Sequence, residues 1–178
     1  MIILKRDAST NWSTYHVSRG NGNSTPLNEA EAPTTSTTFW NDTTPTSSVF
    51  TVGSISNTNS NDSSIIAYSF AEIQGYSKIS SYTGLGSTDG NFLFTGFSPA
   101  WVMIKRTTGS YPWMIFDNKR NTYNPADTAL FANGNDADTT SSIYDTDFLS
   151  NGFKIRSSNS TIGGGGDPYI YMAFAEQP

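Results

Sequence analysis

The chain offers little to a catalyst. Its only histidine is His16 and it has no cysteine, so a Ser-His-Asp or Cys-His arrangement would have to run through one imidazole. No G-x-S-x-G elbow accompanies it. In the internal repeat described below the aligned position is Asp117, and His16 reads as a strand-end residue. One His and no Cys also exclude an ordinary zinc site. Gly163-Gly164-Gly165-Gly166 precedes a strand and not a helix, so it lacks the context of a phosphate loop and reads as a flexible hairpin loop.

Carboxylates are the next resource. Asp145 and Asp147 are two apart, a spacing that points both the same way on a strand and that paired-acid glycosidases use. With Asp42 in the place of Asp145 in the first repeat and no apolar strand context around them, the preferred reading is structural turn residues. With Asp136 and Asp138 they could instead chelate calcium, which takes six to eight oxygens from such a cluster. The pairs Lys5-Arg6 and Lys105-Arg106 suggest an anion site, but alternation sends adjacent residues to opposite faces. An ion pair between Asp117 and Arg120 is expected instead. Among the aromatic residues, Trp12 and Trp113 are expected in the core. Trp40, which has no Trp counterpart, and Tyr111, beside Pro112 on an expected turn, are the candidates for exposed stacking on a sugar.

The elements that must position these residues are strands. Ser, Thr and Asn supply 64 of 178 residues, charged residues are 14% and aromatic residues 13%, a composition foreign to helical bundles and too aromatic for a disordered chain. Short β-branched and aromatic runs bounded by Gly, Pro, Asn and Asp predict strands at 2–6, 13–17, 37–40, 49–52 and 64–73, then at 100–106, 113–118, 128–132, 152–156 and 169–176. Connecting strands are expected at 76–82 and 92–97. Large residues alternate in Ile66, Tyr68, Phe70 and in Ile170, Met172, Phe174, which places Phe70, Phe174 and Ile170 in a core together with Phe153 and Ile104. Trp101 to Ile104 and Trp113 to Phe116 are apolar on both faces and need cover on both.

The two series of strands repeat. Leu4-Lys5-Arg6 recurs at Ile104-Lys105-Arg106, Trp12 at Trp113, Phe50 at Phe153 and Phe70-Ala71-Glu72 at Phe174-Ala175-Glu176, with offsets that climb through 100, 101, 103 and 104. Single insertions in loops produce such a drift. The expected organisation is a first repeat at 1–74, connecting strands at 75–99 and a second repeat at 100–178, either as two sandwiches or merged into one. The segment 92–97 leads into the second repeat and has no counterpart before Ile2, so 2–6 is expected to present an unpaired edge. That edge predicts a homo-oligomer, a trimer by analogy with fibres, whereas symmetry statistics favour a dimer.

A net charge of −5 with ten basic residues argues against nucleic acid. No apolar run approaches the length of a membrane span, and Met1-Ile2-Ile3-Leu4 followed by Lys5-Arg6 has the wrong order for a secretory signal. The expectation is a protein outside the membrane.

Read in order, Ile2 to Arg6, Asn11-Trp12, Tyr15-His16, Phe39 to Phe50, Phe70-Ala71-Glu72, Gly75 to Lys78, Gly96 to Arg106, Leu149 to Lys154 and Tyr169 to Glu176 resemble a repeat module of phage tail and tail-fibre proteins, best known from marine phages. In that family concanavalin-like or laminin-G-like sandwich units stand in tandem. The resemblance covers nearly the whole chain and implies an all-β, antiparallel sandwich of jelly-roll or concanavalin-like type. It also implies a virion location, a structural or adhesion role without enzymatic activity, and partners among other virion proteins, copies of itself or host surface glycans. The alternative is a free-standing carbohydrate-binding module, and a glycan hydrolase or lyase is a third, more distant class. Family members usually carry a strand ahead of the first Lys-Arg segment and a short tail after the last Ala-Glu, so this chain looks like the final two modules of a longer protein. The resemblance transfers no binding residues and no cofactor.

Overall fold

The computed structural model describes residues 1–177; Pro178, with which the expected second repeat closes, lies outside the described residues. The chain is all-β and its strand pairs are antiparallel. Strands β1 (Ile2–Arg6), β2 (Ser13–Tyr15), β3 (Asn23–Pro26), β4 (Thr34–Thr35) and β5 (Ile65–Ser69) make one sheet in the order β4-β3-β2-β1-β5. A second sheet contains β6 (Ser77–Thr83), β8 (Pro99–Arg106), β9 (Trp113–Asp117), β10 (Thr128–Phe131), β11 (Thr139–Thr140) and β14 (Pro168–Ala175), in the order β11-β10-β9-β8-β14-β6. A third is built from β7 (Phe92–Phe94), β12 (Thr146–Leu149) and β13 (Gly152–Ile155).

Alternation along the strands sorts the apolar side chains into three cores. Ile3 of β1 faces Met103, Trp113, Ile170 and Met172, so the five- and six-stranded sheets pack face to face. Val102, Ile104, Met114, Phe116 and Tyr171 point the other way, onto Phe153 and Ile155 of the three-stranded sheet. Ile2, Leu4 and Tyr15 leave the opposite face of the first sheet and are roofed by Phe39, Trp40, Phe50, Val52 and Ile55 from the long loop after β4. Each large sheet is thus covered on both sides, which accounts for the doubly apolar runs in β8 and β9.

The two large sheets share a register. Ile2 faces Tyr15 and Ile3 faces Thr14, as Val102 faces Phe116 and Met103 faces Ile115. Leu4 pairs with Ala67 and Arg6 with Ile65, as Ile104 pairs with Tyr171 and Arg106 with Tyr169. The match extends outward: Ser13 lies opposite Pro26 and Met114 opposite Phe131, while Asn23 pairs with Thr35 and Thr128 with Thr140. Even the loops agree. The Trp12 N–H donates to Asn28 Oδ1 at 2.8 Å and the Trp113 N–H to Asn133 Oδ1 at 2.7 Å.

Several expectations fail on local chemistry. Residues 37–40 form a turn, because Ser36 Oγ accepts the Thr38 N–H and the Trp40 carbonyl accepts the Thr43 N–H. Residues 49–52 form no strand: Thr46 Oγ1 captures the N–H groups of Ser48 and Val49, and such local side-chain bonds compete with a ladder. The short, polar β3, β4 and β11 carry no apolar alternation, and β12, Thr146–Leu149, is too short to show one, so all four escape a hydrophobicity reading. Strand 2–6 is no free edge, since β1 lies between β2 and β5. Segment 92–97 supplies β7 to the three-stranded sheet and does not lie beside β8.

Phe153, Ile104 and Ile170 are buried as expected, but Phe70 and Phe174 are only half-buried, in a cluster with Trp101 and Tyr76 at the end of the inter-sheet core. The tetraglycine is not a flexible loop. The Gly86 N–H donates to Gly163 O at 2.8 Å, and a Cβ on Gly84 would meet the Gly164 carbonyl oxygen at 2.2 Å, so two backbone segments touch where only glycine fits.

Candidate functional site

His16 directly follows β2 with 2% of its surface exposed. Its Nε2 lies 3.2 Å from the Tyr171 carbonyl of the facing sheet, and its Nδ1 accepts the Ser18 N–H, also at 3.2 Å. That pattern selects the neutral Nε2–H tautomer. Burial lowers the imidazole pKa to about 4, although the hydrogen bond to Tyr171 works in the opposite direction. The ring fastens two sheets and caps the 3-10 turn at Val17–Arg19. Asp117 shares the capping part of this work at the matching place: Oδ1 accepts the N–H groups of Lys119 at 3.0 Å and Arg120 at 2.8 Å, and Oδ2 pairs with the Arg120 guanidinium. Burial opposes ionisation of Asp117, but these donors outweigh it and hold the carboxyl below its usual range.

The Lys-Arg pairs are structural in the same sense. Lys105 is 0% exposed, and its ammonium donates to the carbonyls of Ala30 at 2.8 Å and Tyr111 at 2.5 Å. Desolvation by burial lowers its pKa to about 8. Lys5 binds the carbonyls of Ala8 and Thr10 in its own hairpin. Arg106, on the other face, pairs with Asp167 at 2.7 Å.

Neither candidate sugar platform is available. Trp40 is 0% exposed, its ring set edge-on to Tyr15 and its Nε1 donating to Asn23 O at 2.9 Å. The turn at 37–40 drives the indole inward, where a strand would have let it point out. Tyr111 is half-buried and the Arg106 guanidinium sits 4.2 Å from its ring centroid, occupying a face that a sugar would need.

The four acids separate. Asp138, in the loop after β10, pairs with Arg120 at 3.4 Å, and Asp136 is exposed on the same loop. Asp145 and Asp147 lie at β12, where Asp147 pairs with Arg156 at 3.4 Å. Among the described residues no three His, Cys, Asp or Glu side chains gather as metal ligands, so the calcium cluster of four aspartates does not form. Asp145 does face an open depression of about 440 Å³, lined also by Thr88, Asp89, Ser142 and Arg156. The Lys154 ammonium, 2.5 Å away, holds Asp89 below the usual carboxylate range. Burial, with Asp127 and Asp147 nearby, pushes Asp145 up. The depression offers hydrogen bonds to hydroxyl groups, but no aromatic ring lines it.

The exposed apolar side chains lie where hydrophobic periodicity gave no warning. Tyr123 is 87% exposed at a loop tip, Phe92 and Phe94 flank buried Leu93 on β7, and Ile66 and Tyr68 stand out on β5. For Tyr123 the signal was its setting, Asn121-Thr122-Tyr123-Asn124-Pro125, all turn formers around one ring.

Comparison with known proteins adds a family. The chain belongs to the family described as a domain of unknown function (DUF7483), whose model matches residues 1–178. No curated protein and no solved structure matches the chain. No helix among the described residues is long and apolar enough to cross a membrane.

Proposed function

We propose that the chain is a non-catalytic structural and adhesion module of a phage tail or tail fibre, built from two copies of one sandwich unit. One observation carries the non-catalytic part: the lone imidazole, the two repeated lysines and Asp117 are bonded to backbone. His16 holds Tyr171 O and the Ser18 N–H, Lys5 and Lys105 each hold two carbonyls, and Asp117 holds two N–H groups. An imidazole or ammonium committed in this way is not free to move a proton to a substrate. The matched registers of the two large sheets support the duplicated unit, and the residue-by-residue resemblance supports the virion setting.

Immunogold labelling of phage particles with antibody to the chain tests the proposal. Label along the tail is expected, together with no turnover of host polysaccharide by the purified protein. Absence of label from particles, or cleavage of a polysaccharide that is lost in Asp145→Asn, overturns it. A free-standing carbohydrate-binding module is disfavoured by the burial of Trp40 and the capping of Tyr111 by Arg106.

A further inference from the structure

The last strands of the two large sheets have the same neighbour on one side only. β14 lies between β8 and β6, whereas β5 has β1 on one side and, among the described residues, no strand on the other. The hydrogen bonds show which groups of β5 are left over. The Phe70 N–H donates to Met1 O at 2.8 Å and the Asp7 N–H to Ser64 O at 3.0 Å, so the bonded pairs of the β1–β5 ladder are Met1 with Phe70, Ile3 with Tyr68, Lys5 with Ile66 and Asp7 with Ser64. The N–H and C=O groups of Ile65, Ala67 and Ser69 therefore point outward. At the corresponding place in the second sheet, Ala175 donates outward to Tyr76 O at 2.8 Å, and the ladder from Pro168 to Phe174 pairs with β6.

The β5 edge is also unguarded. Natural edges are blunted by shortness, lysine, proline or a bulge. β4 and β11 are two residues long, β6 carries Lys78, and β12 carries Asp147. β5 has five residues, Ile65-Ile66-Ala67-Tyr68-Ser69, with no charge and no proline, and exposes Ile66 at 58% and Tyr68 at 47%.

We infer that β5 pairs with β5 of a second copy of this chain, antiparallel about a two-fold axis at Ala67, joining the two five-stranded sheets into one. The sequence of the strand is complementary to itself about that axis. Ala67 meets Ala67 and Ile65 meets Ser69, which are the residues whose backbone groups point outward, so each of these pairs exchanges hydrogen bonds. Ile66 then meets Tyr68 of the other copy as a non-hydrogen-bonded pair, the closer of the two kinds. Both exposed side chains gain an aromatic to β-branched contact, twice over by symmetry. No charge from β5 opposes the approach. An axis between two residues would set inward-bonded groups against outward ones, and an axis at Ile66 or Tyr68 would pair that side chain with itself and shorten the overlap of the two strands. The axis at Ala67 therefore gives the longest bonded ladder and the mixed Ile66 to Tyr68 contact.

The absence of native cysteine makes the register testable. Ala67→Cys places two sulfurs across the axis, in a bonded pair with Cα atoms about 5.5 Å apart, within disulfide reach. Ser69→Cys leaves its two sulfurs about 13 Å apart along the strands. Expected results are a dimer mass by light scattering across a micromolar series, oxidative cross-linking of Ala67→Cys but not of Ser69→Cys, and a monomer for Ala67→Pro, which removes an outward donor and leaves the β1 ladder intact. Ile66→Lys, on an exposed side chain, gives the same loss of dimer if Ala67→Pro does not fold. A wild-type monomer at every concentration overturns the inference. So does a dimer that persists in Ile66→Lys, or equal cross-linking of the two cysteine variants. A monomer that gains a strand only from another protein would likewise show that β5 serves a different partner.

Discussion

β5 and β14 lie against β1 and β8 in the same register, yet one is nearly bare and the other is closed in on both faces and both edges. Of β14, Tyr169 to Ala173 are buried; of β5, only Ile65 is even half-buried. The difference lies in the neighbours. β6 brings Ile79 to the inter-sheet core and stacks Tyr82 on Tyr169 with centroids 4.8 Å apart, and the three-stranded sheet adds Phe153 edge-on to Tyr171. β5 has no sixth strand beside it among the described residues, and its cover is limited to the long-loop cluster against Ile65 and the Trp12 ring stacked on Tyr68. Similar strands in similar ladders therefore contribute to stability in proportion to what covers them.

The largest test of this contrast is a pair of truncations at matched positions. Tyr169→Ala removes a buried ring and the hydroxyl that accepts the Gly164 N–H and donates to Ser160 O. It should cost about 3–5 kcal/mol in urea unfolding. Ile65→Ala, at the same register position, should cost about 1 kcal/mol, because little is buried there to lose. Equal losses would mean that the two sheets unfold with the same dependence on both strands. Phe174→Ala should fall between these values, because its ring is half-buried.

Next in size is the acid response of the joint between the sheets. His16 has a folded-state pKa of about 4, below the ordinary value of 6.5. Between those values the unfolded chain binds the proton and the folded chain does not, so the neutral-ring stability is intact above pH 6.5 and is lost as pH falls toward 4. The loss should reach about 3 kcal/mol. Carboxylates titrate in the same window, so the measurement is the difference between wild type and His16→Gln, whose unfolding free energies should converge on acidification. Parallel pH curves would show that the ring does not stay neutral between the sheets.

Lys105 gives the alkaline counterpart, with a buried ammonium against the half-exposed Lys5. Its folded pKa of about 8 lies below the ordinary 10.5. The unfolded chain holds more protons between these values, so stability rises as pH climbs from 8 and the cost of the buried charge is relieved. Over a unit or so of pH, wild type should gain about 1–2 kcal/mol relative to Lys105→Met.

What could be read from the sequence follows from the same physics. β8 and β9 are legible from runs apolar on both faces and β14 from period-two alternation, whereas the same alternation in Ile66, Tyr68 and Phe70 marks β5 as a strand but misses the exposure of Ile66 and Tyr68. The pairing of Asp117 with Arg120 was legible from spacing. Trp40 was misplaced because its burial is set by Ser36, Thr38 and Thr43 bonding locally, a signal with no hydrophobic period. β3, β4 and β11 are Ser, Thr and Asn strands whose ladders are fixed by their neighbours. The free edge was assigned to β1 because the missing neighbour belongs beside β5, and adjacency in a sheet is invisible to a linear reading. The four aspartates failed as a cluster for the complementary reason: Arg120 and Arg156, distant in sequence, each claimed one of them.

The smallest expected effect separates two acids at one strand. Asp147 is partnered by Arg156, half-exposed, so Asp147→Asn should lose less than about 1 kcal/mol. Asp145 has a raised pKa, from burial first and then from Asp127 and Asp147, which means that its charge is carried at a cost in the folded chain at neutral pH. Asp145→Asn should therefore leave stability unchanged or raise it by a few tenths of a kcal/mol, an order of magnitude set by partly solvated repulsion. A group whose folded pKa lies above its unfolded one disfavours folding once pH exceeds both, so relief of that cost should disappear below about pH 4. Opposite signs for the two variants in paired urea titrations at pH 7 would support a repulsive charge at 145 beside an attractive one at 147. A clear loss of stability in Asp145→Asn would mean instead that this carboxylate holds a ligand or a cation in the depression between Asp89 and Arg156, and that the side of the molecule remote from β5 carries a function of its own.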